Sequence, residues 1–462
     1  MAKRTPKQHN PKRTSPVVSG ASARTPPSAT ARPAATDPAH PISGVGFQPM
    51  VFAVAFLIVC SRRPDALLQA QFYAEDGAVF YTAAYQFGLH SLLIPYGGYL
   101  HTLLRLTALL AQLFPLAIAP LVMNLVGITV QVLPVNLFLS SRFSSIAFPI
   151  RLLAGFLYLA LPNAFEIHVS VTNVQWHLAL LACLALLAQP AVSSGWRGFD
   201  ATVLVLTALS SPMAILLVPM AAVLWWKRRD RCSATSLALL APGAAVQALI
   251  VLLHWHSRQQ PHLNLAGGAV FNGGPIGANL ARFASILGRQ VFLSSLLGLN
   301  TQGWLLESDY VSVVEVIATV LGLALLVYTL RYANTELRLF LIFAFAVLAL
   351  GLINPLAGPP DRPQWEWLCI PGCGNRYYFL PMLAFLASLL WMASHSPVPR
   401  ALRCFAVALL LLLPIGIYQD WEYPPFQDFQ FKRYAGQFER AAAGTKLAIP
   451  INPGWTMELT KH

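Results

Sequence analysis

Long apolar runs separated by short polar loops set the pattern of this chain. They fall at 42–61, 119–140, 144–161, 176–189, 201–209, 214–226, 236–253, 311–330, 339–352, 377–392 and 405–418. A bilayer's hydrocarbon core takes about 20 helical residues, so runs of this kind predict membrane-spanning helices, about eleven in all. The two runs around Ser210, Ser211 and Pro212 are short and read as a hairpin with a Pro-bent tip, which leaves ten or twelve spans open. Between the first and second runs lie an amphipathic stretch over 78–93, the helix-breaking segment Ile94-Pro95-Tyr96-Gly97-Gly98-Tyr99-Leu100-His101, and an apolar helix carrying Arg105. Sending all of it through the bilayer would reverse the charge pattern of every later loop. It is therefore expected as juxtamembrane helices lying in the interface, roofing a lateral cleft. The expected fold class is all-α, a polytopic membrane protein with juxtamembrane helices in its first outer loop.

Composition agrees. Of 462 residues, 56% are hydrophobic and 11% charged, and the mean hydropathy of +0.57 leaves too little polar surface to coat a soluble globule. The net charge of +13 does not point to nucleic acid, because the basic residues sit in an N-terminal tail and in short loops. Residues 1–46 have Asp37 as their only acid and are rich in Pro, Ser, Thr, Ala, Lys and Arg, so a disordered cytoplasmic tail is expected there. The transmembrane region then covers 47–418 and an extracytoplasmic tail 419–462. With the N-terminus inside, Arg142, Arg151, Arg197, Lys227, Arg228, Arg229, Arg231, Arg331, Arg338, Arg400 and Arg403 all fall in cytoplasmic loops, as the positive-inside rule requires. Arg62 and Arg63 run against it. The alternate loops, 62–117, 163–175, 254–310 and 355–376, hold most of the acids and indoles and mark the extracytoplasmic side as the working face. The first run lies deep for a cleaved signal and lacks a small-x-small site, so a retained anchor is expected. A bacterial inner membrane is the plain expectation.

The chemistry starts at Phe72-Tyr73-Ala74-Glu75-Asp76-Gly77, where two adjacent carboxylates follow the first span. Ionisable groups beside hydrocarbon are costly and are usually kept for function. The structural alternative is that one of them caps the helix from Ala78 onward, where the dipole favours negative charge; that accounts for one acid and not for a pair.

A retained first span, an acidic pair early in the first outer loop, two juxtamembrane helices and the series of spans resemble the GT-C glycosyltransferases. The resemblance implies an enzyme moving a sugar from a polyprenyl-phosphate or polyprenyl-diphosphate donor to a glycan or lipid acceptor of the envelope at the outer face. Asp76 best matches the family's catalytic carboxylate, as the base taking the acceptor proton, with Glu75 orienting the sugar or sharing a proton. There is no large soluble C-terminal domain, which argues against a protein-modifying member. The resemblance does not decide metal use, and a divalent cation, Mg or Mn, stays open.

A lipid phosphate leaving group needs cations, and Arg105, Arg282, Arg289 and Arg376 are on the expected outer side. Arg376, beside Tyr377 and Tyr378, is suited to grip a phosphate with its fork; snorkelling to headgroups is the alternative. Arg105 has the further option of pairing with Glu75 or Asp76. The segment Glu166 to His177 mixes Glu166, Asn173, Gln175 and Trp176 in a way that suits sugar recognition, although Trp176 and His177 also fit as interface anchors. His168, His177, His254, His256 and His262 show no metal-ligand spacing. The loop over 254–310 is expected to fold over the outer cleft, and Cys369 and Cys373, flanking Ile370-Pro371-Gly372, are placed to form a bridge. Two other classes stay open: a lipid-linked sugar flippase or other transporter, which would show repeats and midplane charges absent here, and a noncatalytic subunit of an envelope polysaccharide assembly system.

Overall fold

The computed structural model describes residues 46–259, 275–305, 311–359 and 361–462. The basic tail up to residue 45, His262, Gly267-Gly268, Asn272-Gly273-Gly274, Glu307 and Asp309 lie outside the described residues, as does the side chain of Trp304. The chain runs through α1 (Phe47–Arg62), α2 (Asp65–Leu68), a π-helical turn (Asp76–Tyr81) continuing into α3 (Thr82–Phe87), a 3-10 turn (Gly88–Leu93) and α4 (Thr102–Ala111). Then come α5 (Ala119–Leu139), α6 (Phe148–Leu159), α7 (Val174–Leu187), α8 (Ser194–Ser210), α9 (Ala214–Arg228) and α10 (Arg231–Gln259). The second half holds α11 (Leu280–Ser285), a π-helical stretch (Ile286–Leu293), α12 (Ser294–Leu305), α13 (Val311–Tyr332), α14 (Thr335–Ile353), α15 (Gln364–Cys369) and α16 (Asn375–Ser394). It closes with α17 (Arg400–Leu410), α18 (Leu413–Gln419), α19 (Phe431–Arg440) and a hairpin of β1 (Lys446–Ile451) and β2 (Trp455–Thr460). The protein is thus an all-helical, multi-pass type of fold with one small sheet.

Each predicted apolar run is helical. By length and composition, seven helical stretches among the described residues can cross a membrane, with α1, α4, α6 and α7 as shorter apolar helices. The central helices α5, α7 and α16 are apolar on every side and mostly buried, as helices surrounded by other helices must be. Peripheral helices instead present Leu57, Leu249, Leu252, Val320, Ile342 and Leu411 outward, more than half exposed. Apolar surface on that scale suits a lipid surround and not water.

Contacts sort the helix ends into two groups. At one end, Arg142 forks onto Asp200 at 2.7 Å, Arg228 donates to the carbonyls of Leu186, Leu187 and Ala188, and Lys227 reaches Thr335 at 2.7 Å. The other end carries the acidic pair and the loops at 163–175 and 355–376. Arg62 and Arg63, which break the charge pattern, belong to this second end for a structural reason. The buried Arg62 guanidinium donates to the carbonyls of Leu159, Leu161, Asp420 and Trp421, tying three segments together.

Two expectations are corrected here. The region 254–310 is not simply a loop: its described part contains the apolar helical stretch Leu280–Thr301. The hydrogen-bonding groups at its two flanks find partners at the acidic-pair end, while Phe292 between them packs on Phe385 and Gly322 deeper in the bundle. Arg282 pairs with Glu366, Arg289 with Glu315 and the Cys369 carbonyl, and Leu299 donates to Asp420 at 2.7 Å. Both flanks therefore return to that end. Cys369 and Cys373 are free thiols; Cys369 is in α15 with its Sγ turned to the Arg282 carbonyl, 3.8 Å away.

The segment 419–462 packs on the same end. Asp420 accepts from the backbone N–H groups of Asn163 and Leu299, each at 2.7 Å. In the hairpin, Ile449, Ile451, Met457 and Leu459 alternate inward and are fully buried, the period-two pattern of a sheet with one dry face.

Candidate functional site

Backbone geometry places the acidic pair. Ala74 has φ 47°, the left-handed region that costs a non-glycine residue about 1 kcal/mol or more. What holds it there is the C-terminal hairpin: Ala74 N–H donates to the Asn452 carbonyl at 2.6 Å, and Asn452 N–H donates to Phe72 at 3.2 Å. The Asn452 side chain is fixed in turn, accepting from Gln427 N–H at 2.9 Å and donating to its carbonyl at 3.0 Å. Gly77 completes the turn, because a Cβ there would meet Phe72 at 2.8 Å and Ile451 at 3.1 Å.

From this turn the two carboxylates part company. Asp76 is 2% exposed and its Oδ1 accepts a short hydrogen bond from the Thr172 hydroxyl. Burial pushes its carboxyl up from 3.8 to about 7; the Thr172 bonds pull it down, and Glu75 adds to the rise. A carboxylic acid that exchanges its proton near neutrality is suited to general acid–base work. Glu75 is less buried and accepts from the Tyr96 hydroxyl. Burial raises its carboxyl too, against the lowering effect of its own backbone hydrogen bond and of Arg376.

Around the pair stand residues from four segments. The Pro95-Tyr96-Gly97-Gly98-Tyr99 turn closes with mutual backbone bonds between Tyr96 and Tyr99, made possible by Gly97 and Gly98 at φ 58° and 91°. The Tyr99 hydroxyl accepts from Gln175 at 2.9 Å, and burial pushes its proton affinity up to about 12. Asn173 donates to the Glu166 carbonyl at 2.9 Å. Glu166 holds Arg376 through both its side chain and its backbone N–H, and Arg376 also reaches the Leu356 carbonyl and lies 4.9 Å over the Tyr377 ring. Trp176 meets Tyr377 edge to face at 6.0 Å. Trp176 and His177 are buried, so they are interior groups and not interface anchors.

Arg105 does not make the pairing that was its second option. It pairs with neither Glu75 nor Asp76. Its guanidinium is 1% exposed, lies 5.2 Å over the Phe80 ring, and leaves Nε and Nη1 without a hydrogen-bond partner. Its neighbour His101 is held neutral, pushed down to about 3 by burial and by Arg105 itself. Phe80 in turn touches Tyr96 at 5.7 Å, the ring whose hydroxyl serves Glu75. Away from this guanidinium α4 is apolar and open, with Leu106 and Leu110 exposed, followed just past its end by exposed Leu113 and Phe114.

The structure thus brings Glu75, Asp76, Glu166, Asn173, Gln175, Trp176, Arg376 and Tyr377 to one end of the bundle, with Arg105 behind Phe80. Thr172 and Tyr96, the partners of the two carboxylates, lay in segments that the sequence reading singled out, but nothing in a lone Thr or Tyr marks it as such a partner. Two buried polar atoms among these residues, Gln175 Oε1 and Trp176 Nε1, also lack partners. A divalent ion does not fit well. Among the described residues no group of three or more His, Cys, Asp or Glu converges, and Asp76 and Glu166 are already engaged by Thr172 and Arg376.

No family model matches this chain, and no curated protein does. Two solved structures are similar over 86% of the chain. One is the oligosaccharyltransferase AglB from Archaeoglobus fulgidus with an inhibitory peptide and a dolichol-phosphate, at 11% identity and a TM-score of 0.33. The other is the apo form of an A. fulgidus oligosaccharyltransferase, at 10% identity and a TM-score of 0.36. The chain spans 58% of the length of each, and scores of this size carry no argument about what it does.

Proposed function

We propose that this chain is a GT-C-like membrane glycosyltransferase that moves a sugar from a polyprenyl-phosphate-linked donor to an envelope glycan or lipid acceptor at the extracytoplasmic face. The observation that supports it best is the coexistence, at one end of the bundle, of a buried carboxyl exchanging its proton near neutrality and a buried guanidinium with no carboxylate to neutralise it. Leaving a buried charge unpaired is strongly destabilising, so such a group is kept for an anionic ligand. Of the four arginines considered, Arg282, Arg289 and Arg376 are taken by Glu366, Glu315 and Glu166. Arg105 is left for the phosphate. Its helix carries the open apolar face along which a polyprenyl chain would lie.

In this reading Asp76 takes the proton of the acceptor hydroxyl as its oxygen attacks the sugar's anomeric carbon. The bond from that carbon to the phosphate oxygen breaks with its electron pair leaving on the phosphate, and attack from the opposite face inverts the centre. Arg105 steadies the developing phosphate charge. Glu75, oriented by Tyr96, meets sugar hydroxyls, and Gln175 Oε1 and Trp176 Nε1 offer the unspent acceptor and donor. The Glu166-Arg376 pair, with Tyr377, forms the far wall.

The test is transfer of labelled sugar from a polyprenyl-phosphate donor pool to membrane acceptors. Wild type is expected to transfer, Asp76→Asn to lose about 10²- to 10⁴-fold, and Arg105→Gln to lose more than Arg105→Lys. Full transfer by Asp76→Asn at matched protein level, or none by wild type across donors, would turn the reading toward a transporter or an assembly subunit.

A further inference from the structure

The end of the bundle opposite Asp76 contains a cavity of about 930 Å³ between α5, α6 and α7 on one side and α14 and α16 on the other. Its depth is apolar, with walls from Val135, Leu157, Leu184, Leu386 and Leu390, and its width comes from small residues, Ala154 and Gly155 on α6 and Ala387 on α16. Such walls offer water almost nothing to bond, so it cannot be filled by ordered solvent. The cavity is half open to its surroundings, so in a bilayer acyl chains can enter it and no empty void need be left. Its walls suit an apolar occupant.

The mouth says what that is. It is lined by Arg142, Arg228, Asp230, Asn334, Glu336 and His395, at the ends of helices. Arg142 is spent on Asp200 and on the carbonyls of Ala185 and Gln189. Arg228 spends its Nη atoms on three carbonyls but keeps its charge. Glu336 accepts no side-chain hydrogen bond among the described residues, and Asp230 is bonded only within its own turn, to Ser233. With Arg142 balanced by Asp200, the mouth sets the Arg228 guanidinium beside two carboxylates, Glu336 and Asp230, which both face it; this one-cation, two-anion set is complementary to a headgroup that holds a phosphate and an ammonium together.

We infer that this cavity is a lipid site, separate from the proposed reaction site, which holds the acyl chains of a glycerophospholipid with an amine-bearing headgroup from the leaflet at that end. The headgroup ammonium sits by Glu336 and Asp230 and its phosphate by Arg228.

The full chain, purified in mild detergent, is delipidated, exposed to vesicles of phosphatidylethanolamine or phosphatidylglycerol, and assayed by native mass spectrometry. Wild type should retain phosphatidylethanolamine in preference. Ala387→Phe, which narrows the cavity, should lower retention about tenfold, the scale of one displaced apolar contact set. Glu336→Gln with Asp230→Asn should keep retention and reduce the headgroup preference about two- to fivefold. A phosphatidylethanolamine with a photoactivatable acyl chain should mark peptides containing Ala154 and Ala387 in unsubstituted protein, which needs no variant to fold. Absence of those marks, unchanged retention in folded Ala387→Phe, or a polyprenyl phosphate as the retained lipid would each overturn the inference. The first two outcomes leave the proposed sugar transfer untouched, and the third would move the lipid donor to this cavity.

Discussion

Asp76 carries consequences that can be read from its proton. As a base it must be ionised, so under the proposed mechanism the transfer rate should rise with pH up to about 7 and level off above it. Stability runs the other way. The folded chain holds this proton more tightly than the unfolded chain, so stability falls as pH rises from the ordinary value of 3.8 to about 7 and is flat beyond. Asp76→Asn should therefore melt above wild type at pH 8, by at most about 4 kcal/mol, and the gap should close below pH 4. Thermal melts at several pH values decide this; a gap that stays constant would rule it out. Thr172→Val removes the hydrogen bond that favours the carboxylate. Its pH–rate midpoint should move to higher pH, while an isosteric change with no effect on the midpoint would mean that Thr172 only packs.

The acidic turn makes its own predictions at the level of elements. Ala74→Gly places at φ 47° the residue that takes this conformation freely, so it should be neutral or stabilising by up to about 1 kcal/mol. Gly77→Ala forces a methyl into Phe72 and Ile451 and should cost about 1–3 kcal/mol; chemical denaturation compares the two directly. Much of this level was legible beforehand. The apolar runs are long enough that each became a helix, and Glu75-Asp76 stood out against a background with almost no charge. The stretch Leu280–Thr301 was not, because Arg282, Arg289 and Gln290 hold its mean hydropathy to 1.2. Nor was the fate of the arginines: Arg376 meets its acid 210 residues away and Arg282 meets its own 84 residues away. Which of four cations stays unpaired is decided by tertiary packing, which local pattern does not carry.

For the whole molecule, the two ends of the bundle differ in charge and in chemistry, and the proposed orientation follows from that. In a background with the six native cysteines replaced, cysteines introduced at Ser396 and Thr456, both exposed and at opposite ends, should react differently with a membrane-impermeant maleimide on intact cells, Thr456→Cys labelling and Ser396→Cys not. The reverse result would invert the topology and remove the acidic pair from the extracytoplasmic face. The tie between Asn452 and Ala74 adds a matter of timing. Residue 74 leaves the ribosome hundreds of residues before residue 452, and contacts of such separation close late. Until then the acidic turn lacks the bonds that hold its strained backbone. Every span can thus be inserted while the proposed reaction centre is still unassembled, so under the proposed function a nascent or prematurely stopped chain would occupy the membrane without acting on its lipids.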